Sequence, residues 1–157
     1  MAITTAALAR CLIAATTFLI AQAATAASPI GQIKTAAGAV TVERAGASKS
    51  LAVGDRVYES DTIVTGNGTV GITFVDNSMM ALGPQTRLAL DQFAFDPTTH
   101  DGRFNASLSK GTLTVKSGQI VKQTPEAMRI KTPAALLGVR GTEFAVRADD
   151  APIAQAP

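Results

Sequence analysis

Apolar and polar residues alternate with a period of two in short runs along most of this chain: Val40-Thr41-Val42, Val70-Gly71-Ile72-Thr73-Phe74, Leu88-Ala89-Leu90, Phe104-Asn105-Ala106-Ser107-Leu108 and Leu113-Thr114-Val115. That period puts every second side chain on one face of an extended backbone, so each run predicts a half-buried strand. By the same rule Met79-Met80 splits into one inward and one outward side chain. Between the runs stand Ala45-Gly46, Gly54-Asp55, Gly66-Asn67-Gly68, Asp76-Asn77, Gly83-Pro84, Asp96-Pro97, Asp101-Gly102, Lys110-Gly111 and Ser117-Gly118, about one turn signal every ten residues. No segment beyond residue 27 carries a helical stripe with caps; residues 126–128 and 133–137 suit single turns at most. The pattern predicts an all-β single domain of short strands, arranged as a β-sandwich or as a solenoid-like coil around one axis.

Residues 1–26 read differently. A lone Arg10, an apolar run from Cys11 to Ala21 and the small residues Ala24-Thr25-Ala26 before Ala27 fit a secretory signal peptide with its cleavage site. The apolar run falls short of the roughly 20 residues that a membrane-spanning helix needs. Cleavage with no stable membrane insertion afterwards is the expectation, and an uncleaved anchor is the alternative. The β domain is then expected over residues 27–147. Residues 148–157, which include Asp149-Asp150 and Ala151-Pro152, have no periodicity and read as a mobile tail. The expected location is periplasmic or secreted.

Cleavage leaves roughly 130 residues, one domain with enough chain to close a core. It also removes Cys11, the only cysteine, so disulfides and cysteine-based metal or redox sites are excluded. Loss of Arg10 takes one unit from a formal balance of +2, and the remaining Lys and Arg are scattered. A block of basic residues that would track phosphates is missing, which argues against a nucleic-acid partner.

Three apparent catalytic patterns fail on their physical context. The glycines of Gly66-Asn67-Gly68-Thr69-Val70-Gly71 match a dinucleotide fingerprint, with Asp91 downstream. That motif needs a helix N-terminus at the pyrophosphate, whereas these glycines lead into the strand-like Ile72-Thr73-Phe74. A tight hairpin through Asn67-Gly68 explains the same letters. Ser107-Leu108-Ser109-Lys110 and Lys116-Ser117-Gly118 imitate motifs of penicillin-binding proteins, but six residues cannot bring the two together, and an exposed turn at Lys110-Gly111 is expected instead. His100, the only histidine, lies in the turn-rich 96–102 stretch beside Asp96 and Asp101; a solvated loop is the simpler reading, and a small hydrolase using His100 is the least favoured function. Asn67 and Asn105 begin glycosylation sequons, yet both are explained as turn and strand residues.

The segment from Lys131 to Phe144 holds a Thr132-Pro133 corner, Arg140 between Gly138 and Gly141, and the Thr142-Glu143 pair. Pro133 fixes its own φ and extends Thr132, while the glycines tolerate positive φ. Arg140 is expected to hold this corner in shape by capping carbonyls or by pairing with Glu143, Asp55, Asp61 or Asp76, with a recognition role as the alternative. The carboxylate of Asp55 is expected to accept local backbone N–H groups in its turn.

Together with Gly54-Asp55, Asp61-Thr62-Ile63-Val64-Thr65 and Asp76-Asn77-Ser78 leading into Leu82-Gly83-Pro84-Gln85-Thr86, in that order, this segment resembles the FecR domain, a β-rich extracytoplasmic module. The resemblance runs from about Gly31 to Val146 and favours the solenoid-like arrangement. It marks Gly54, Asp55, Asp61, Thr65, Asp76, Ser78, Pro133, Gly138, Arg140, Gly141, Thr142 and Glu143 as structural or recognition positions. Better-known regulators of the family carry a cytoplasmic segment that controls a sigma factor, a transmembrane helix and often a further C-terminal domain. This chain has an export signal in place of the first and ends at Pro157, so the resemblance implies the extracytoplasmic module alone. A non-enzymatic interaction or signal-sensing domain is expected, its partner an envelope protein or polymer, without cofactor. A structural scaffold of the envelope is the alternative.

Overall fold

The computed structural model describes residues 27–141 and 143–149. Its elements in chain order are β1 (Gly31–Ala37), β2 (Val40–Arg44), β3 (Ala47–Ser50), β4 (Arg56–Val57), β5 (Thr62–Thr65), β6 (Thr69–Phe74), β7 (Met79–Leu82), β8 (Arg87–Phe95), β9 (Gly102–Lys116), α1 (Gln119–Gln123), β10 (Met128–Lys131), β11 (Leu136–Gly138) and β12 (Glu143–Ala148). The signal-peptide reading and the tail from residue 150 onward lie outside the described residues, as does Thr142. Ala148, placed in the tail by sequence, closes β12 and is buried against the core.

The chain is all-β, and its strands join in one curled, open and largely antiparallel sheet in the order β3-β2-β5-β8-β9-β7-β6-β1-β4. Period-two alternation carries through: Val70, Ile72 and Phe74 of β6 are buried, and Met80 points inward while Met79 is half exposed. The long β9 is the spine. Its first half pairs β8 on one side and β10 on the other, the latter in parallel; its second half pairs β7 and β12. Gly111, at φ +95, marks the passage between the halves, so Lys110-Gly111 is a bend within one strand and not the turn expected from sequence. A Cβ on Gly111 would meet the backbone of Thr86 at 2.5 Å, which leaves glycine as the residue that fits.

The chain folds the sheet over along a row of corners. Gly66-Asn67-Gly68 joins β5 to β6, and these two strands do not pair with each other, so the expected Asn67-Gly68 hairpin is instead a corner between the two halves. A Cβ on Gly68 would lie 2.2 Å from the Ala37 carbonyl of the neighbouring corner, so close backbone approach is what requires the glycine. Between the halves Phe74 of β6 packs edge-on to Phe104 of β9 with centroids 4.7 Å apart and stacks beside Phe93 of β8 at 5.9 Å. Aromatic pairs at these separations join the two halves of the core.

Candidate functional site

In the β2–β5 ladder Val42 pairs with Ile63 and Glu43 with Thr62. Arg44 and Asp61 stand one step further along, and both continue the inward phase of their strands. The core face therefore ends in a charge pair. Arg44 donates from Nε to Asp61 Oδ1 at 2.6 Å and from Nη2 to Oδ2 at 2.7 Å, and Tyr58 N–H reaches the same Oδ2 at 2.8 Å. Asp61 is fully buried while the Arg44 side chain is 47% exposed. The Asp61 hydrogen bonds push the Arg44 guanidinium above its ordinary pKa, against partial burial that acts the other way. The guanidinium carbon also sits 4.3 Å above the centre of the Tyr58 ring, a cation–π contact that orients both side chains.

Beyond this pair the edge strands β3 and β4 enclose a basin of about 320 Å³. Val42 and Leu51, both buried, form an apolar floor; Arg44, Lys49, Arg56, Asp55 and Tyr58 stand around it. Lys49 and Arg56 are exposed, and neither side chain makes an ion pair or hydrogen bond among the described residues. Asp55, the acid in this lining, accepts the Ala52 N–H at 3.0 Å, the local turn contact expected of it. Gly54 beside it has φ +94 and donates its N–H to the Ile33 carbonyl of β1, which ties this turn to the neighbouring strand.

The other positions singled out by sequence are clamps. Asp76 is fully buried in the β6–β7 turn and accepts the Ser78 N–H at 3.0 Å and the Ser78 hydroxyl. The Ser78 Oγ accepts the Gly118 N–H at 3.0 Å, and the Asp76 carbonyl accepts the Gln119 N–H at 2.8 Å. This turn is thereby fixed to the start of α1. Thr65 is buried at the β5 corner, where its hydroxyl donates to the Gly83 carbonyl at 2.7 Å and accepts the Thr86 N–H at 2.9 Å. The Thr86 hydroxyl in turn accepts the Thr112 N–H at 3.0 Å. Successive corners of the folded sheet are linked through these threonines.

In the 131–144 segment the expectation for Arg140 is corrected. Arg140 is exposed and makes no ion pair or hydrogen bond among the described residues, while Asp61 pairs with Arg44, Asp76 with Ser78 and Asp55 with Ala52. Pro133 occupies the exposed β10–β11 connection, which is closed by Thr132: its N–H and hydroxyl both meet the Ala135 carbonyl. Gly138 ends β11 opposite Arg129 without positive φ, and a Cβ added there would meet nothing within 4 Å, so neither strain nor crowding requires glycine at that position. Gly141 does adopt φ +136, and its carbonyl accepts the Ser117 hydroxyl. Glu143 opens β12 opposite Lys116 of β9 and is exposed. The structure thus gathers Asp55 and Asp61 at the basin and disperses the rest.

Sequence reading missed Arg44, Lys49, Arg56 and Tyr58. The usable signal was the shared phase of Val40–Arg44 and Asp61–Thr65, which ends one inward stripe on a cation and begins the other on an acid. His100, at φ +62, stacks beside Phe95 with ring centroids 6.3 Å apart, and its ring contacts no carboxylate among the described residues. Asp96 instead accepts the Thr98 and Thr99 N–H groups, which hold its carboxyl below the ordinary value. Among the described residues no group of three His, Cys, Asp or Glu side chains is placed to hold a metal ion, and no helix is long and apolar enough to cross a membrane.

The described residues thus form one all-β unit, a folded and largely antiparallel sheet with polar clamps at its corners and a basin lined by Arg44, Lys49 and Arg56 at its edge. The family model described as FecR protein matches residues 61–155, more than half of the sequence. The chain belongs to the FecR protein family, a regulatory family associated with signal transduction. No curated protein and no solved structure matches it. The match begins at Asp61, so every residue lining the basin precedes the matched segment, and Asp61, which orients Arg44 from behind, is its first residue.

Proposed function

We propose that the chain is an exported, non-enzymatic recognition module that takes an anionic group of another envelope component, protein or polymer, into the basin formed by β2, β3 and β4, as part of periplasmic signal sensing. The observation that carries this reading is the placement of Lys49 and Arg56, two cations without partners among the described residues, beside the Arg44–Tyr58 stack and over the apolar floor of Val42 and Leu51. A guanidinium already held by a buried carboxylate loses little rotamer freedom when a ligand arrives, and the Nη1 donors of Arg44, which Asp61 does not use, remain for carboxylate or phosphate oxygens. The apolar floor adds contact area for the group that carries the charge. Membership in a regulatory family supports sensing over catalysis.

The test is affinity capture from cross-linked envelope extract, comparing the parent with the Lys49→Ala/Arg56→Ala double variant. Both side chains are exposed, so the two proteins should share a urea midpoint. The expected result is a partner enriched by the parent, lost with the double variant, and released as salt rises and the Debye length shrinks. Equal capture by both proteins would overturn the reading.

A further inference from the structure

Among the described residues the curled sheet leaves four strands at its margins, and three of them are protected against pairing with another chain. β4 has two residues. β3 is a fully exposed Ala-Ser-Lys-Ser strand that carries Lys49. β11 has three residues and follows the Pro133 corner. Short length, an edge lysine and a nearby proline are the usual devices that blunt a sheet edge. β12 differs. It runs six residues in unbroken register along β9, from Glu143 opposite Lys116 to Ala148 opposite Gly111, without proline, glycine, lysine or bulge. Its other side has no strand among the described residues.

The side chains of β12 are also complementary to themselves. Phe144 and Val146 point inward and pack on the core, yet both stay partly exposed because nothing covers that margin among the described residues. Glu143, Ala145 and Arg147 point outward. An antiparallel copy of the same strand, related by a two-fold axis through Ala145, would place Glu143 opposite Arg147 of the second copy, Phe144 opposite its Val146 and Ala145 opposite its Ala145. Side chains directly opposed in an antiparallel pair share a face, so both charge pairs would form outside and both apolar pairs would extend the core. A parallel pairing would set Glu143 against Glu143 and Arg147 against Arg147. Arg147 already bonds Asp149 at 2.9 Å, but that pair is about three-quarters exposed on both sides and leaves the guanidinium able to meet a second carboxylate.

We infer that β12 is the interface of a homodimer in which two copies join edge to edge into one continuous sheet across a two-fold axis at Ala145. In such a C2 interface the same patch serves both partners. The backbone ladder supplies affinity and the alternating side chains fix the register. The basin lies at the opposite margin, beside β3 and β4, so the dimer presents two basins, and the interface stands whether or not the basin binds an anion.

Sedimentation equilibrium of the purified full chain tests this with Glu143→Arg, Arg147→Glu and the double variant Glu143→Arg/Arg147→Glu. The wild type is expected to dimerise. Each single variant puts like charges opposite one another twice per dimer, so its dissociation constant should rise about tenfold or more. The double variant should return to the wild-type value, and an equimolar mixture of the two single variants should form a heterodimer. Both substituted positions are exposed, so a urea midpoint matching wild type separates loss of the interface from loss of the fold. A wild type that stays monomeric over the accessible concentration range, or a dimer indifferent to the swaps, overturns the proposal.

Discussion

Arg44 and Asp61 meet through two hydrogen bonds of 2.6 and 2.7 Å, with the carboxylate wholly buried and the guanidinium half in water. The pair ends the core stripe of two adjacent strands and begins the basin, so it belongs to the fold and to the proposed recognition surface together. Its asymmetry of burial sets what mutation should do. Removing the guanidinium leaves a buried charge with the Tyr58 N–H as its remaining partner.

Arg44→Ala should therefore destabilise the protein by about 2–4 kcal/mol, toward the lower part of the range for a broken buried pair because water reaches one side. Arg44→Lys should recover only part of this, since an ammonium replaces the two-pronged contact with a point charge. Adding Asp61→Asn to Arg44→Ala should restore stability relative to the single variant by removing the abandoned charge. Urea unfolding measures all three; a single variant with the parental midpoint would show that the pair is not needed for the fold.

The Asp76–Ser78–Gly118 clamp makes a sharper steric prediction. A Cβ at Gly118 would lie 2.3 Å from the Asp76 carbonyl oxygen and 2.4 Å from the Ser78 nitrogen, both backbone atoms that cannot move aside alone. Gly118→Ala should cost about 3 kcal/mol or more, a scale typical of overpacking with backbone shift. Gly138→Ala, by contrast, adds its methyl to open space at ordinary φ and should be neutral or stabilising by about 0.4–1 kcal/mol through the unfolded chain. The order of the two thermal midpoints tests the argument, and Gly118→Ala unfolding above Gly138→Ala would refute it.

These contrasts show what the amino-acid order discloses. Alternation is a local property, so the strands around Val70–Phe74 and Phe104–Leu108, and the inward Met80 beside the outward Met79, are legible directly. Turn glycines are legible as breaks but not as connections: Gly66 to Gly68 reads as a hairpin until it is known that β5 and β6 belong to different halves of the sheet. Charge pairing is the least legible, because it depends on which strands become neighbours. Arg140, framed by glycines, draws attention locally, while Arg44 becomes important only once β2 lies beside β5. The signal-peptide reading and Thr142 fall outside the described residues.

An exposed Arg140 without a partner among the described residues leads to a direct expectation. Arg140→Ala should shift the urea midpoint by no more than about 0.5 kcal/mol equivalent, the range of ordinary surface substitutions. The same experiment on Thr86→Val should give a loss of about 1–3 kcal/mol, because the buried Thr86 hydroxyl accepts the Thr112 N–H at the corner and its removal strands that donor. A large effect at Arg140 combined with a small one at Thr86 would reverse the assignment of which residues hold the corners.

Acid should act on stability through Glu43 and Arg87, which form a two-pronged pair across the outer face from β2 to β8 with one contact of 3.0 Å. The Arg87 hydrogen bond holds the Glu43 carboxyl below the ordinary glutamate value. A carboxyl whose pKa is depressed by folding binds fewer protons in the native state than in the unfolded one across the interval between the two values. Its contribution is therefore complete above the unfolded value and declines as pH falls through that interval to the folded value. The Glu43 side chain is open to solvent, so the effect should be modest and should shrink in high salt. Urea midpoints measured between neutral and acid pH, at low and high ionic strength, should show the Glu43→Gln variant losing less stability than wild type once pH drops below about 4.3, where an unperturbed glutamate titrates. Parallel curves for the two proteins at low salt would show that this pair adds nothing to the acid limb.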